Sequence, residues 1–145
     1  MGLWGRLCLL CAAISGACLL SCGPKAIQKD FQASASGVEL FHSQLDSARF
    51  DEIYSAAAPE LKNTTSEADF VQLLAAVHRK LGRVRSSNQV GFSETWNIHE
   101  GTIVRLDYET LYEQGEAKEH FEWRPHGSQA LLVAYRIDSQ ALIVR

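Results

Sequence analysis

The spacing of apolar residues changes at Gly82, and this change restricts the chain to folds in which helices precede strands. Before Gly82, apolar residues recur every three or four positions, as they do on one face of an α-helix. From Arg83 onwards they alternate with polar residues, as they do on a half-buried β-strand. Helices followed by strands that are joined by short turns indicate an α+β domain with an antiparallel sheet.

Two or three helices are predicted before Gly82. The stretch Ser36-Gly37-Val38-Glu39 has the spacing of a capping box, so we expect a helix to begin at Ser36. Ile27 and Phe31 are four positions apart, so the alternative is a start within residues 23–33. The apolar stripe of this helix changes phase near Ser47-Ala48, which predicts a kink or a break into two helices. Pro59 is expected to end this element, because proline cannot continue the hydrogen-bond ladder. The last helix is expected to run from a cap at Ser66 to a stop at Gly82.

Four strands are predicted after Gly82, over residues 84–98, 102–114, 117–126 and 129–137. Turns at Gly115 and Gly127 separate the last three. The fourth strand is apolar on both faces, so we expect it to be central or covered, and residues 138–145 could extend it. Together these elements predict helices packed on one face of a curved four-stranded antiparallel sheet, an arrangement that often leaves a cone-shaped pocket.

The N-terminal segment has the three parts of an export signal. Met1–Arg6 carries a basic side chain, Leu7–Leu20 is apolar, and polar residues follow Cys22. The apolar run is shorter than the roughly 20 residues that span a bilayer. The alternatives are an uncleaved anchor helix or a buried core helix, and the interruption at Ser15 and Gly16 disfavours the anchor.

The end of this segment, Leu19-Leu20-Ser21-Cys22, resembles the lipobox of bacterial lipoproteins. The resemblance implies that the chain is cut between Ser21 and Cys22, that the thiol of Cys22 carries a diacylglycerol, and that the new amine is acylated. Several acyl chains anchor a protein durably, whereas one chain does so only marginally. The expected divisions are a signal peptide at 1–21, a lipidated cysteine and tether at 22–33, and one α+β domain at 34–145. The lipobox resemblance implies an envelope protein that faces the periplasm. Gly23, where some lipoproteins have Asp, resembles lipoproteins sent to the outer membrane of Gram-negative cells, so the outer membrane is the expected location in such a host.

The remaining composition excludes several other classes of protein. All four cysteines lie at or before Cys22, so the predicted mature chain has no disulfide and depends on its core for stability. Cys8 and Cys11 have the spacing of a redox or metal pair, but no later cysteine could complete such a site. The chain has 14 Lys+Arg against 17 Asp+Glu and contains no basic block, which disfavours nucleic-acid binding.

Several ordered stretches between roughly residues 36 and 140 resemble the bacterial lipoprotein family labelled domain of unknown function 4019. They are Leu45-Asp46 with Tyr54 and Ala57-Ala58, His78-Arg79-Lys80-Leu81-Gly82-Arg83-Val84, Val104-Arg105-Leu106-Asp107-Tyr108-Glu109-Thr110, Glu119-His120-Phe121-Glu122-Trp123 and Ala134-Tyr135-Arg136-Ile137-Asp138-Ser139. The chain departs from the family where Ala134 replaces a glycine and Leu131 or Leu132 stands near a tryptophan position. The resemblance implies a nuclear-transport-factor-2-like, or cystatin-like, cone. It carries over no catalytic residue.

No catalytic residue, metal site or cofactor is predicted. Relatives of the cone fold include isomerases and dehydratases that use a pocket Asp or His with Tyr, which draws attention to Asp107 and His120. Alternation places both among charged residues, on the sheet face away from Tyr108 and Phe121, so we expect Asp107 to be solvated. The histidines have no recognised metal spacing; they are His42, His78, His99, His120 and His126.

Five aromatic residues could line a pocket for an apolar ligand, although such a stripe is more often plain core. They are Tyr108, Tyr112, Phe121, Trp123 and Tyr135. The expected function is a lipid-anchored envelope protein, held to the membrane through Cys22, whose non-enzymatic domain binds another envelope protein or a small apolar molecule. The alternative is a lipoprotein enzyme with a pocket acid or base. Paired titratable groups in a pocket would favour the enzyme, and a filled pocket with an apolar patch outside would favour the binding module.

Overall fold

The structure, a computed structural model, describes residues 24–98 and 101–143. The predicted signal peptide, its cleavage site and Cys22 lie outside the described residues. The elements follow in the order α1 (Pro24–Asp46), α2 (Phe50–Ser55), α3 (Pro59–Thr64), α4 (Glu67–Leu81), β1 (Val84–Asn97), β2 (Gly101–Tyr112), β3 (Gly115–His126), β4 (Gln129–Asp138) and α5 (Gln140–Ile143). The α+β class with an open, four-stranded antiparallel sheet is therefore confirmed.

The strands form a meander in the order β1-β2-β3-β4, with each strand antiparallel to its neighbours. β4 is thus an edge strand and not a central one. Its apolar residues are accounted for by α1 and α3, which both pack against it. The register between β3 and β4 shifts at Glu122 and Trp123, and the Ala58 N–H donates to the Leu132 carbonyl over 2.9 Å. This hydrogen bond ties the connection between α2 and α3 to the edge of the sheet.

Helix α1 begins much earlier than the capping-box spacing predicts. It starts at Pro24 and runs through Ser36, so the predicted N-cap is wrong and residues 24–33 are helical where a tether was expected. Packing against the sheet begins at Phe31, and residues 25–29 before it are exposed. The ring of Phe31 meets that of Phe92 edge-on with 5.3 Å between centroids. A Cβ on Gly37 would lie 3.0 Å from the Trp123 ring, so this glycine lets the helix approach the sheet closely.

The break after α1 lies where the sequence predicts it, whereas Pro59 and the C-terminal tail do not behave as expected. α1 ends at Asp46 and α2 begins at Phe50, with Ala48 at φ 55, so the predicted break is confirmed. Pro59, by contrast, begins α3 and does not end the preceding helix. Proline suits this first position because it has no N–H to leave unpaired and its φ is already helical. The tail after Asp138 turns into α5 and does not extend the sheet.

Helix α4 follows the sequence pattern closely. The Ser66 hydroxyl oxygen accepts a hydrogen bond from the Asp69 N–H over 3.2 Å, and Gly82 ends the helix at φ 76. The apolar face of α4 packs into a core shared with α1 and the inner face of the sheet. Fully buried members of that core include Leu45, Leu74, Val77, Leu81, Val104, Leu106 and Phe121.

We expect Gly82→Ala to lower the free energy of unfolding by about 1–3 kcal/mol, measured by urea denaturation. Gly82 has φ 76 and ψ −155, a conformation that is nearly restricted to glycine, and a Cβ there would lie 2.9 Å from the Glu113 Cβ. Gly127→Ala is the matched control, because φ is 67 but a Cβ would meet nothing within 4 Å. Equal losses in both variants would show that the contact with Glu113 adds nothing.

Candidate functional site

Glu119 is a fully buried carboxylate at the centre of the domain. Residues of β3 alternate between the two sheet faces, and Glu119 lies on the same face as Phe121 and Trp123. Glu119 is absent from the sequence-based candidates. The signal was nevertheless present, because the alternation that assigns Phe121 and Trp123 to the core face assigns Glu119 to it as well.

Four side chains donate hydrogen bonds to the Glu119 carboxylate. Tyr112 and Tyr135 hydroxyls each donate to Oε1 over 2.8 Å. The Thr110 hydroxyl donates to Oε2 over 2.6 Å, and His42 Nε2 lies 2.8 Å from the same oxygen. Because an ionised carboxylate can only accept, the imidazole is the donor in this last bond. We call these five residues the Glu119 cluster.

The cluster joins four elements of the fold. Thr110 and Tyr112 are alternate residues of β2, Tyr135 lies on β4, and His42 lies on α1. The Ser87 hydroxyl of β1 approaches the Thr110 hydroxyl within 2.8 Å. Since the Thr110 proton is directed to Glu119, Thr110 accepts from Ser87 and connects the remaining strand to the cluster.

Electrostatics favour the ionised form of Glu119. Burial by itself would raise the pKa of this carboxyl, but the hydrogen bond and positive charge of His42, with the hydrogen bonds from Thr110 and Tyr135, outweigh burial and lower the pKa below its ordinary value. Burial and the negative charge of Glu119 raise the pKa of both Tyr112 and Tyr135, so these phenols stay protonated as donors.

The cluster has no free acceptor position for a substrate. A carboxylate has about four lone-pair sites, and four donors occupy them. Aromatic side chains pack closely beside the cluster: the Phe41 ring lies 5.2 Å from that of Phe121 and 4.7 Å from that of Tyr135, centroid to centroid. The geometry therefore describes an internal polar network, held by side chains that satisfy one another.

The five aromatic residues proposed from the sequence as pocket lining lie together on the core side of the sheet. Tyr108, Phe121 and Trp123 belong to the hydrophobic core, and Tyr112 and Tyr135 donate to Glu119. A cleft of about 1030 Å³ and one of about 290 Å³ on the described surface are lined by other residues.

The outer face of the sheet carries Asp107 and His120, the two titratable residues considered from the sequence. His120 Nδ1 lies 2.6 Å from Asp107 Oδ1, and His120 Nε2 lies 3.5 Å from Asp138 Oδ2. Both carboxylates are substantially exposed, as the alternation predicted for Asp107. Within residues 24–98 and 101–143, no group of three or more His, Cys, Asp or Glu has the arrangement of a metal site. His120 therefore lies between two partly exposed carboxylates on the outer face of the sheet.

A broad groove of about 1030 Å³ lies at the end of the sheet that holds the turn between β2 and β3. Charged side chains of both signs line it, and Leu111 and Ile143 expose apolar surface there. The charged lining residues are Glu109, Glu116, Lys118 and Asp138. We call this the distal groove, because the N-terminus of α1 lies at the opposite end of the sheet.

Two further findings bear on identity. None of the helices among the described residues is long and apolar enough to cross a membrane. The chain matches no protein-family model, and no curated protein is significantly similar to it.

We expect Glu119→Gln to lower the free energy of unfolding by about 3 kcal/mol at neutral pH, measured by urea denaturation. The amide nitrogen cannot accept the hydrogen bonds that the carboxylate accepts, so buried donors lose their partners. Glu109→Gln is the matched control, because Glu109 is an exposed acid on the neighbouring strand. A loss no larger than that of the control would contradict the structural role of the cluster.

The same variant should flatten the acid side of the stability profile. The folded pKa of Glu119 lies below its ordinary value of 4.5, so its contribution is complete above pH 4.5 and is lost as the pH falls towards the folded pKa. We expect the unfolding free energy of Glu119→Gln to fall less steeply below pH 4.5 than that of the parent chain. Parallel profiles would show that Glu119 does not titrate differently on folding.

Proposed function

We propose that this chain is a lipid-anchored cell-envelope protein whose domain binds another envelope protein and performs no catalysis. The observation that carries the non-catalytic part is the Glu119 cluster: the buried carboxylate of Glu119 accepts four hydrogen bonds from side chains of the protein itself. The anchor is supported by the resemblance of Leu19-Leu20-Ser21-Cys22 to a lipobox.

The enzymatic alternative requires a group that can exchange a proton with a substrate. A general base must lie within hydrogen-bond reach of that proton and have a pKa near the working pH. Glu119 meets neither condition, because its side chain is 0% exposed and its pKa is lowered. His120 can be reached from solvent, but it lies on the outer face of the sheet and does not line either cleft described above.

We also propose that the domain is a nuclear-transport-factor-2-like or cystatin-like cone, of the lipoprotein family labelled domain of unknown function 4019. Support comes from α1, which packs against all four strands, as the long helix of such a cone does. Phe41 on α1 fills the interior of the proposed cone, between Phe121 and Tyr135. A filled cone argues for recognition on the outer surface and against an enclosed small ligand.

The distal groove is the surface we assign to the protein partner. It lies at the end of the sheet away from α1's N-terminus, so a protein anchored through Cys22 would present it towards the periplasm. Exposed Leu111 and Ile143 supply apolar contact, and the mixed charges around them supply specificity.

Cys22→Ala should abolish incorporation of labelled fatty acid and move the protein out of the membrane fraction, because the thiol that carries the lipid is gone. Metabolic labelling and fractionation measure the two effects. Cys18→Ala is the matched control, because Cys18 lies within the predicted leader and should leave both properties unchanged. A Cys22→Ala protein that stays labelled would disprove the anchor.

A photo-reactive amino acid at Leu111 should cross-link the chain to a defined envelope protein in living cells. The same group at Leu73 is the control, because Leu73 is comparably exposed, at 39% against 44%, and lies on α4 away from the groove. Gel shift and mass spectrometry identify the adduct. The photo-reactive group is also placed at Lys118 and at Ile143, which line the same groove. Equal adducts at Leu111 and Leu73, or no adduct at any of the three groove positions, would contradict the assignment of the distal groove.

A further inference from the structure

Large apolar side chains are exposed at the end of the domain where α1 begins. Trp96 is 70% exposed and Ile98 is 79% exposed, both at the end of β1. Ile27 on the first turn of α1 and Phe92 on β1 are each more than two-fifths exposed. Together with Phe31, which is half-buried beside Phe92, we call these residues the proximal patch.

Strand register brings these residues to one side of the molecule. Phe92 pairs with Leu106 and Glu94 pairs with Val104, and both partners face the core. Trp96, two positions further along, faces the same way and lies beyond the part of the sheet that α1 covers. Trp96 pairs with Thr102 beside the turn between β1 and β2.

The first turns of α1 lie at that same turn. Lys29 and Asp30 share a cleft of about 290 Å³ with Gly101 and Thr102. The N-terminus of α1 and the apolar end of β1 therefore occupy one end of the domain, and the distal groove occupies the other.

We propose that the proximal patch inserts into the interfacial region of the lipid bilayer to which the chain is anchored. This rests on the proposed lipidation of Cys22. Only one residue separates Cys22 from Pro24, so their Cα atoms are at most about 7 Å apart. Ile27 follows one helical turn later, about 5 Å further along the axis. An anchor this short holds the patch against the membrane surface.

The chemistry of the patch suits that location. Tryptophan prefers the boundary between headgroups and acyl chains, and neighbouring aliphatic and aromatic side chains add buried apolar area. Lys29, Asp30 and Arg124 share the cleft at this end, so charges of both signs are present and we assign the attraction to apolar contact. Burial and the nearby Asp30 raise the pKa of Glu94, which reduces the cost of bringing this carboxyl close to lipid.

The other occupant to consider is a second copy of the chain, paired along the edge strand β1. An exposed apolar edge strand is a template for such pairing. The short connection to Cys22 favours the bilayer, because it places the patch at the membrane before any second copy arrives.

Tryptophan fluorescence of the lipidated full-length mature chain tests the proposal. The protein is reconstituted in phosphatidylcholine vesicles whose acyl chains carry bromine next to the headgroup. Trp96 is exposed in the domain and Trp123 is 4% exposed, so quenching by bromine reports on Trp96. We expect a blue-shifted emission and a loss of most of the Trp96 signal, and we expect Trp96→Phe to remove the quenchable component.

The matched control moves the reporter to the distal groove. In the Trp96→Phe background, Leu111→Trp introduces a tryptophan at a comparably apolar, exposed site at the opposite end of the sheet. This introduced tryptophan should not be quenched. Both substitutions are on the surface, so folding is checked by an unchanged thermal unfolding midpoint.

Three results separate the possibilities. If intact-mass analysis shows no lipid on Cys22, the proposed function fails first. If the protein is lipidated and vesicle-bound but Trp96 is quenched no more than the reporter of the Leu111→Trp control, the anchor stands and the proximal patch does not insert. A photo-reactive analogue placed at position 96 tests for pairing between copies of the chain. If Trp96 is unquenched and the analogue cross-links two copies through position 96, the patch is a dimer interface and the proposal is overturned.

Discussion

The requirement to surround one buried carboxylate with donors organises this domain. A fully buried ion is costly unless every acceptor position is occupied, and Glu119 achieves this with donors from α1, β2 and β4. The network therefore specifies how the helix meets the sheet. A slip of one residue in β3 would turn Glu119 to solvent and Lys118 or His120 into the core, so the cluster also selects the register.

The same network defines what the interior can do. Its hydrogen bonds are made within the protein, its carboxyl has a lowered pKa, and Phe41 fills the space beside it. A buried acid next to a histidine is often associated with catalysis, but saturation distinguishes this one from a working base. The proposed function therefore uses the surface of the domain, where the distal groove and the proximal patch are two separate regions.

These two regions lie at opposite ends of the sheet, and that arrangement gives the proposed anchor a structural meaning. Helix α1 begins directly after the proposed lipid site and continues into the core as far as Asp46. A rigid helix in this position sets the orientation of the domain more firmly than an extended tether would. The proximal patch would then face lipid while the distal groove faces outwards, towards a partner.

The sequence alone determined the α+β class, the limits of α4, the break after α1 and the assignment of the strand faces, because caps, glycine stops and alternation are local signals. It also contained the lipobox resemblance and the parity that places Glu119 inside. Only the tertiary structure decided how α1 meets the sheet, since Phe31 packs on Phe92 and Gly37 on Trp123, and that β4 lies at an edge. The donors to Glu119 likewise emerge only in the fold, because His42 is separated from it by 77 positions. No local pattern specifies contacts made across such a distance.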